Sequence, residues 1–156
     1  MTRLLDRLVK GVVASCMALM VLVVTWQVVS RYVLGDPSAW TEEVARMLLI
    51  WVGLLGSVYV YRENAHLGLD LLHQKLGLKG RRRLDMISAM CCGAFALAVL
   101  VVGGGSLVQL TWELGQTTAA LGIPMAWVYT VIPISGALIV YYSILMLVGG
   151  QKAISA

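Results

Sequence analysis

The stretch MISAMCCGAFALAVLVVGGGSLVQL, residues 86–110, carries no charged side chain over 25 positions. A helix rises about 1.5 Å per residue, so this stretch is long enough to cross a hydrocarbon core of about 30 Å. Three further apolar runs occupy residues 11–30, 38–61 and 126–148. The sequence therefore predicts an all-α integral membrane protein in which residues 1–156 form a single membrane domain with four transmembrane helices.

The composition supports this prediction. Hydrophobic residues make up 60% of the chain and charged residues 13%, and the mean hydropathy is +0.85. Soluble domains contain about 45–50% apolar and about 25% charged residues. The first apolar run is longer than the roughly 7–15 residues of a signal-peptide core, so we expect it to be retained as a helix.

Basic residues predict the orientation, because Lys and Arg are retained on the cytoplasmic side of a membrane. Ten of the twelve lie in the N-terminal stub, the loop between the second and third runs, and the tail. The opposite side holds only Arg31 and Arg46. Both termini are therefore predicted to lie in the cytoplasm. The net charge of +4 then reflects topology and lipid-headgroup contact rather than a nucleic-acid partner.

The loop after the second run is patterned. Arg62, His66 and Asp70 recur every four residues, on one side of a helix that continues past the bilayer. Beside them runs an apolar stripe of Leu69, Leu72 and Leu76. This spacing predicts a short interfacial helix in the cytoplasmic loop.

Two acids and an arginine open the second run. Glu42 and Glu43 precede Arg46 by four and three residues, so one guanidinium could satisfy both carboxylates. The uncharged stretch that follows, residues 47–61, spans only about 22 Å, less than the hydrocarbon core. The cluster is either an interfacial group that starts the helix or a polar contact with a partner helix.

Small residues and one proline predict how the helices pack. Pairs of small residues at Gly53 and Gly56, and at Ala89 and Gly93, permit close helix approach, as does the run 103–105. Pro133 predicts a kink in the fourth run, which neighbouring groups can accommodate.

The sequence contains no motif for catalysis or metal binding. It has no HExxH, no Ser/His/Asp arrangement and no phosphate-binding glycine loop after a strand. Its cysteines, Cys16, Cys91 and Cys92, lie in apolar runs without a CxxC pair or a His at metal spacing. We therefore predict no enzyme activity, no metal and no cofactor.

Two blocks of residues resemble the small membrane subunit of tripartite ATP-independent periplasmic (TRAP) transporters, the DctQ-type family. The first block contains Trp40, Glu42, Glu43, Arg46, Trp51, Gly56, Arg62, His66 and Asp70. The second contains Leu121, Gly122, Ile123, Pro124, Trp127, Tyr129 and Pro133. The order of these motifs across four predicted spans carries the resemblance. Our candidate interface residues are the whole first block together with Pro124, Trp127 and Tyr129.

The resemblance implies a role rather than a reaction. A DctQ-type subunit associates in the bacterial inner membrane with a large permease that carries the substrate and sodium sites. A periplasmic binding protein delivers the substrate, an organic acid such as a C4-dicarboxylate or sialic acid, and ion gradients rather than ATP drive uptake. The small subunit would enlarge the fixed scaffold of the permease and offer surface for the binding protein.

Two other classes of membrane protein remain as alternatives. A haem-bearing or structural anchor subunit of a respiratory complex also has four spans, but a haem anchor needs histidines within them. Both histidines of this chain fall in the loop between the second and third runs. A small drug exporter needs a deep carboxylate, and the run 11–30 has no acid.

Overall fold

The computed structural model describes residues 2–36, 38–62 and 78–149. Its helices are α1 Thr2–Tyr32, α2 Ala39–Arg62, α3 Leu78–Phe95, a π-helical segment Ala96–Gly103, α4 Gly104–Glu113, α5 Met125–Tyr129 and α6 Val131–Gly149. Four stretches are long and apolar enough to cross a membrane: Leu4–Tyr32, Ala39–Arg62, Arg83–Glu113 and Met125–Val148. The predicted all-α fold with four membrane-spanning helices is confirmed.

The helices extend beyond the apolar runs of the sequence. α1 begins at Thr2 rather than at residue 11, and α3 begins at Leu78 rather than at residue 86. Backbone hydrogen bonding continues through the polar flanks, whereas hydropathy marks only the part that suits hydrocarbon. The predicted interfacial helix, with His66 and Asp70, lies outside the described residues.

The spans pack side by side in the order α1, α2, α6 and the third span. α1 lies against α2, α2 lies against α6, and α6 lies against α3 and the π-helical segment. One side of the bundle holds the first residues of α1 and the last residues of α2 and α6, and we call it the terminal end. The opposite side carries segment 114–124, and we call it the loop end. In each span, between 6% and 28% of the apolar 18-residue stretch is buried within the chain. Most of the apolar surface is therefore available to lipid or to another membrane protein.

Glycines set the closest contacts between the third and fourth spans. A Cβ atom placed on Gly136 would lie 2.6 Å from Cβ of Leu100, and one on Gly104 would lie 2.6 Å from Cγ2 of Ile132. By contrast, a Cβ on Gly53 or Gly56 would have no neighbouring atom within 4 Å. Gly104 of the third span and Gly136 of the fourth thus serve packing within this chain, whereas Gly53 and Gly56 leave an unfilled face on α2.

The fourth span is interrupted near its start. α5 ends at Tyr129 and α6 begins at Val131, so the break falls at Thr130, three residues before Pro133. Proline has no N–H and its ring crowds the carbonyl four residues earlier, here that of Tyr129. The Thr130 hydroxyl donates to the Trp127 carbonyl at 2.7 Å and supports the break. The kink expected from Pro133 therefore appears as this short interruption.

Candidate functional site

Buried hydroxyl groups join α1 and α2 at the loop end. The hydroxyl oxygens of Ser30 and Ser38 are 3.1 Å apart, and the Thr41 hydroxyl donates to the Ser38 carbonyl at 2.7 Å. Ser30 and Thr41 are almost completely buried. Because each hydroxyl finds a partner, the turn can lie against helices without leaving unsatisfied polar groups. This network fixes where α2 starts.

The two acids that follow have different partners. Arg46 Nη2 lies 2.9 Å from Glu42 Oε1, and both side chains are about two-thirds exposed. The Glu43 carboxylate instead accepts hydrogen bonds from the backbone N–H groups of Ala120, at 2.7 Å, and Leu121, at 3.1 Å. Arg46 therefore contacts the carboxylate of Glu42 and not that of Glu43, although the sequence spacing predicted contact with both.

Segment 114–124 folds into a compact turn that presents these N–H groups. The Thr118 N–H donates to the Ile123 carbonyl at 2.9 Å, and the Met125 N–H donates to the Gln116 carbonyl at 2.8 Å. Gly122 has a φ of +66°, which glycine adopts without the steric cost of a Cβ atom. The Leu-Gly-Ile-Pro motif thus shapes a turn, and Glu43 holds that turn on α2.

Further contacts complete the loop end. The Trp51 indole N–H donates to the Val128 carbonyl at 3.2 Å and ties α2 to α5. A pocket of about 400 Å³ lies between α2 and segment 114–124. Its lining includes Arg46 and Gln116, together with apolar side chains such as Met47 and Ile50. The loop end therefore has a shaped surface with both polar and apolar groups.

Removing the Glu43 carboxylate is expected to loosen segment 114–124. In Glu43→Ala the Ala120 and Leu121 N–H groups lose a charged acceptor, so these two amides should exchange with solvent several-fold faster. Hydrogen–deuterium exchange of the purified chain measures this rate. Glu42→Ala is the matched control, because Glu42 contacts Arg46 on its own helix. Equal exchange in the two variants would contradict the tether.

A second polar network lies at the terminal end. Arg62 Nη2 is 2.6 Å from Asp6 Oδ2, and the Tyr142 hydroxyl donates to Asp6 Oδ1 at 2.7 Å. Asp6 is 8% exposed and Tyr142 1%. Beside them, the hydroxyls of Tyr61 and Ser143 are 2.7 Å apart. One carboxylate thus links α1, α2 and α6.

The two networks are separated by about one membrane thickness. Along α2, Thr41 and Arg62 are 21 residues apart, which corresponds to about 32 Å of helix. The hydrocarbon core is about 30 Å thick. The networks therefore suit the two boundaries of the core, and Arg46, five residues after Thr41, begins about 7 Å inside the loop-end boundary.

The structure brings only part of the candidate set together. Trp40, Glu42, Glu43, Arg46, Pro124, Trp127 and Tyr129 lie at the loop end, and Trp51, midway along α2, contacts the Val128 carbonyl of α5. Gly56 lies on the unfilled face of α2, Arg62 contacts Asp6 at the terminal end, and His66 and Asp70 fall outside the described ranges. Asp6 was not predicted as a functional residue, and its one signal in the sequence is its position as the single acid in the basic stub 1–10.

Comparison with known proteins agrees with this architecture. Residues 20–153 match the family described as tripartite ATP-independent periplasmic transporters, DctQ component. The chain belongs to this family. It is a TRAP transporter small permease and a multi-pass bacterial membrane protein. Family members are permease subunits, so the chain is a transport component and not an enzyme.

Several curated small permeases are similar along most of their length. The sialic acid TRAP transporter small permease protein SiaQ of Vibrio cholerae is 28% identical over 144 residues, covering 89% of this chain and 79% of that protein. A putative TRAP transporter small permease of Haemophilus influenzae is 32% identical over 129 residues, covering 80% and 76%. The isethionate TRAP transporter permease protein DctMQ of Oleidesulfovibrio alaskensis is 27% identical over 133 residues, covering 81% of this chain but 21% of that longer protein.

Proposed function

We propose that this small permease is the scaffold subunit of a TRAP transporter in the bacterial inner membrane. It lies beside a large permease subunit that takes up an organic acid with an ion gradient, sodium being the expected ion. The isethionate relative carries the observation that supports this, because the region similar to this chain makes up about a fifth of one longer permease protein. In that relative, the region similar to this chain is covalently joined to the rest of the permease. This favours stable association where the small and large permease subunits are separate chains. Sialic acid and isethionate, in the relatives' names, are both organic acids.

The distribution of charge supports a scaffold role. In the described ranges, acidic and basic residues lie towards the ends of the spans or in the loops, with Arg46 the innermost of them on α2, and none lies at the middle of a span. Transporters that bind ions or anionic substrates place polar or ionisable groups near the middle of the membrane. We therefore assign the substrate and ion sites to the partner permease.

The basic residues of the stub, the second loop and the tail favour a cytoplasmic terminal end. The loop end then faces the periplasm, where a substrate-binding protein approaches. Its turn is held in place by Glu43, and Trp40 and Trp127 are exposed there. A preformed surface loses little conformational entropy when a partner binds. The loop end is therefore our proposed contact for the binding protein and for the outer part of the permease.

Arg46 is expected to matter more for the complex than Arg31. Its backbone lies five residues, or about 7 Å, beyond Thr41 along α2, where an exposed charged group requires a partner. Arg31 lies at the end of α1, 6.0 Å from the Tyr32 ring, and reaches water. Arg46→Ala should lower the amount of large permease that co-purifies by about tenfold, as loss of a charged hydrogen bond predicts, and Arg31→Ala should not. Equal effects of the two variants would show that Arg46 is simply solvated.

Reconstitution tests the proposed function. The chain is incorporated into liposomes alone, and then with the large permease that co-purifies with it in mild detergent and with its cognate binding protein. We expect no uptake by the chain alone and sodium-dependent uptake by the full set. Uptake by the chain alone, or full uptake by permease and binding protein without it, would refute the scaffold role.

A further inference from the structure

An apolar groove runs between α2 and the third span. Its volume is about 780 Å³, and its walls include Gly53 and Ser57 of α2 and Cys91 and Phe95 of α3. Ile139 of α6 lines the groove between them. A helix is about 10 Å across, so the groove accommodates about two turns of a helix. It lies within the spans, and its occupant must therefore belong to the membrane.

The packing order leaves one bundle position open at this groove. α6 contacts both α2 and the third span, while α1 packs along α2. No α1 side chain is among the described residues that line the groove. In a closed four-helix bundle every helix packs against two neighbours around a common core. Here α2, α6 and the third span form three sides of such an arrangement, and the fourth side is open.

The α2 wall of the groove is shaped for a closely packed neighbour. Gly53, which lines the groove, meets no atom within 4 Å, and neither does Gly56 three residues later, whereas Gly93, Gly104 and Gly136 are filled by neighbouring spans. Helices associate in membranes by close backbone approach at small residues, since lipid gives no hydrophobic driving force. The Ser57 hydroxyl donates to the Leu54 carbonyl at 2.7 Å and is already satisfied. The wall therefore suits a neutral, apolar helix face.

We propose that a transmembrane helix of the large permease occupies this groove and completes the four-helix arrangement. The inference rests on the proposed function, which supplies a partner rich in membrane helices. The isethionate relative supports this occupant, because about four-fifths of that permease protein lies beyond the region similar to this chain. Aliphatic side chains of the permease helix would lie over Gly53 and Gly56.

Photo-crosslinking in the native complex tests the occupant. Benzoylphenylalanine is placed at Val60, which lines the groove and is 47% exposed, and in a separate variant at Val21 on α1, which is 61% exposed. We expect Val60 to yield an adduct with the large permease that maps to one transmembrane helix, and Val21 to give a much weaker one. An adduct with phospholipid only, or with a second copy of this chain, would overturn the inference.

A substitution gives an independent readout. Because a Cβ at Gly53 meets no atom within 4 Å, Gly53→Leu should leave the isolated chain folded, with a thermal unfolding midpoint in detergent that is not lowered. It should lower the recovery of the permease about tenfold or more, while Val21→Leu should not. Permease recovery with the unmodified chain but no effect of Gly53→Leu would refute the groove inference alone. Failure of the unmodified chain to recover any permease would instead contradict the proposed function.

Discussion

Asp6→Ala is expected to lower the free energy of unfolding of the chain by about 3–5 kcal/mol, as loss of one partner from a buried ion pair does. The Asp6 carboxylate lies 2.6 Å from Arg62 and accepts the Tyr142 hydroxyl at 2.7 Å. Without it, the guanidinium loses its counter-charge in a site where solvent provides little compensation. Thermal or steric-trap unfolding in detergent micelles measures the change.

The neighbouring Arg7→Ala is the matched control, because Arg7 is exposed on the same helix turn. Replacing both partners, as in Asp6→Leu with Arg62→Met, should recover part of the loss, since apolar pairs of similar size often replace buried ion pairs without cost. Equal free energies of unfolding for Asp6→Ala and Arg7→Ala would show that the Asp6–Arg62 ion pair does not stabilise the packing of the spans. Arg62 was predicted as a partner-facing candidate, and its contact with Asp6 makes a role within the chain the simpler expectation.

The four spans could be predicted because a membrane-spanning helix depends mainly on the residues within its own stretch of sequence. A backbone in hydrocarbon must satisfy its own hydrogen bonds, and a run of about 20 apolar residues reveals such a helix. The link between Asp6 and Tyr142 joins residues 136 positions apart, and no spacing rule within one helix relates them. Conservation or a structure is needed to find such a pair.

Glu43 shows how tertiary contacts can override a spacing rule. The separation of three residues predicted a contact with Arg46. In the folded chain, the N–H groups of Ala120 and Leu121 approach the same carboxylate. Backbone donors in an irregular turn need acceptors, and an ionised carboxylate binds them strongly. The sequence indicated that this helix start was unusual, but it did not indicate which distant segment would contact it.

The packing glycines also separate what the sequence predicts from what only the structure shows. Small residues of α2 and the third span were apparent in the sequence, but Gly136 was not singled out, although it has one of the tightest contacts in the described chain. A Cβ on Gly136 would lie 2.6 Å from Cβ of Leu100 and 3.1 Å from its backbone carbonyl carbon. Neither atom can move by side-chain rotation, so the two spans would have to separate.

Gly136→Ala is therefore expected to destabilise the chain by about 1–3 kcal/mol, as overpacking of a well-filled contact does, and larger side chains should have larger effects. Gly105→Ala is the control on the facing span, where an added Cβ meets no atom within 4 Å. Thermal unfolding in detergent distinguishes them, and equal midpoints would contradict the close contact. Compensation gives a stricter test. Leu100→Ala keeps the Cβ atom that clashes and should not rescue Gly136→Ala. Leu100→Gly removes this atom, so Gly136→Ala should destabilise the chain less in a Leu100→Gly background than in a Leu100→Ala background.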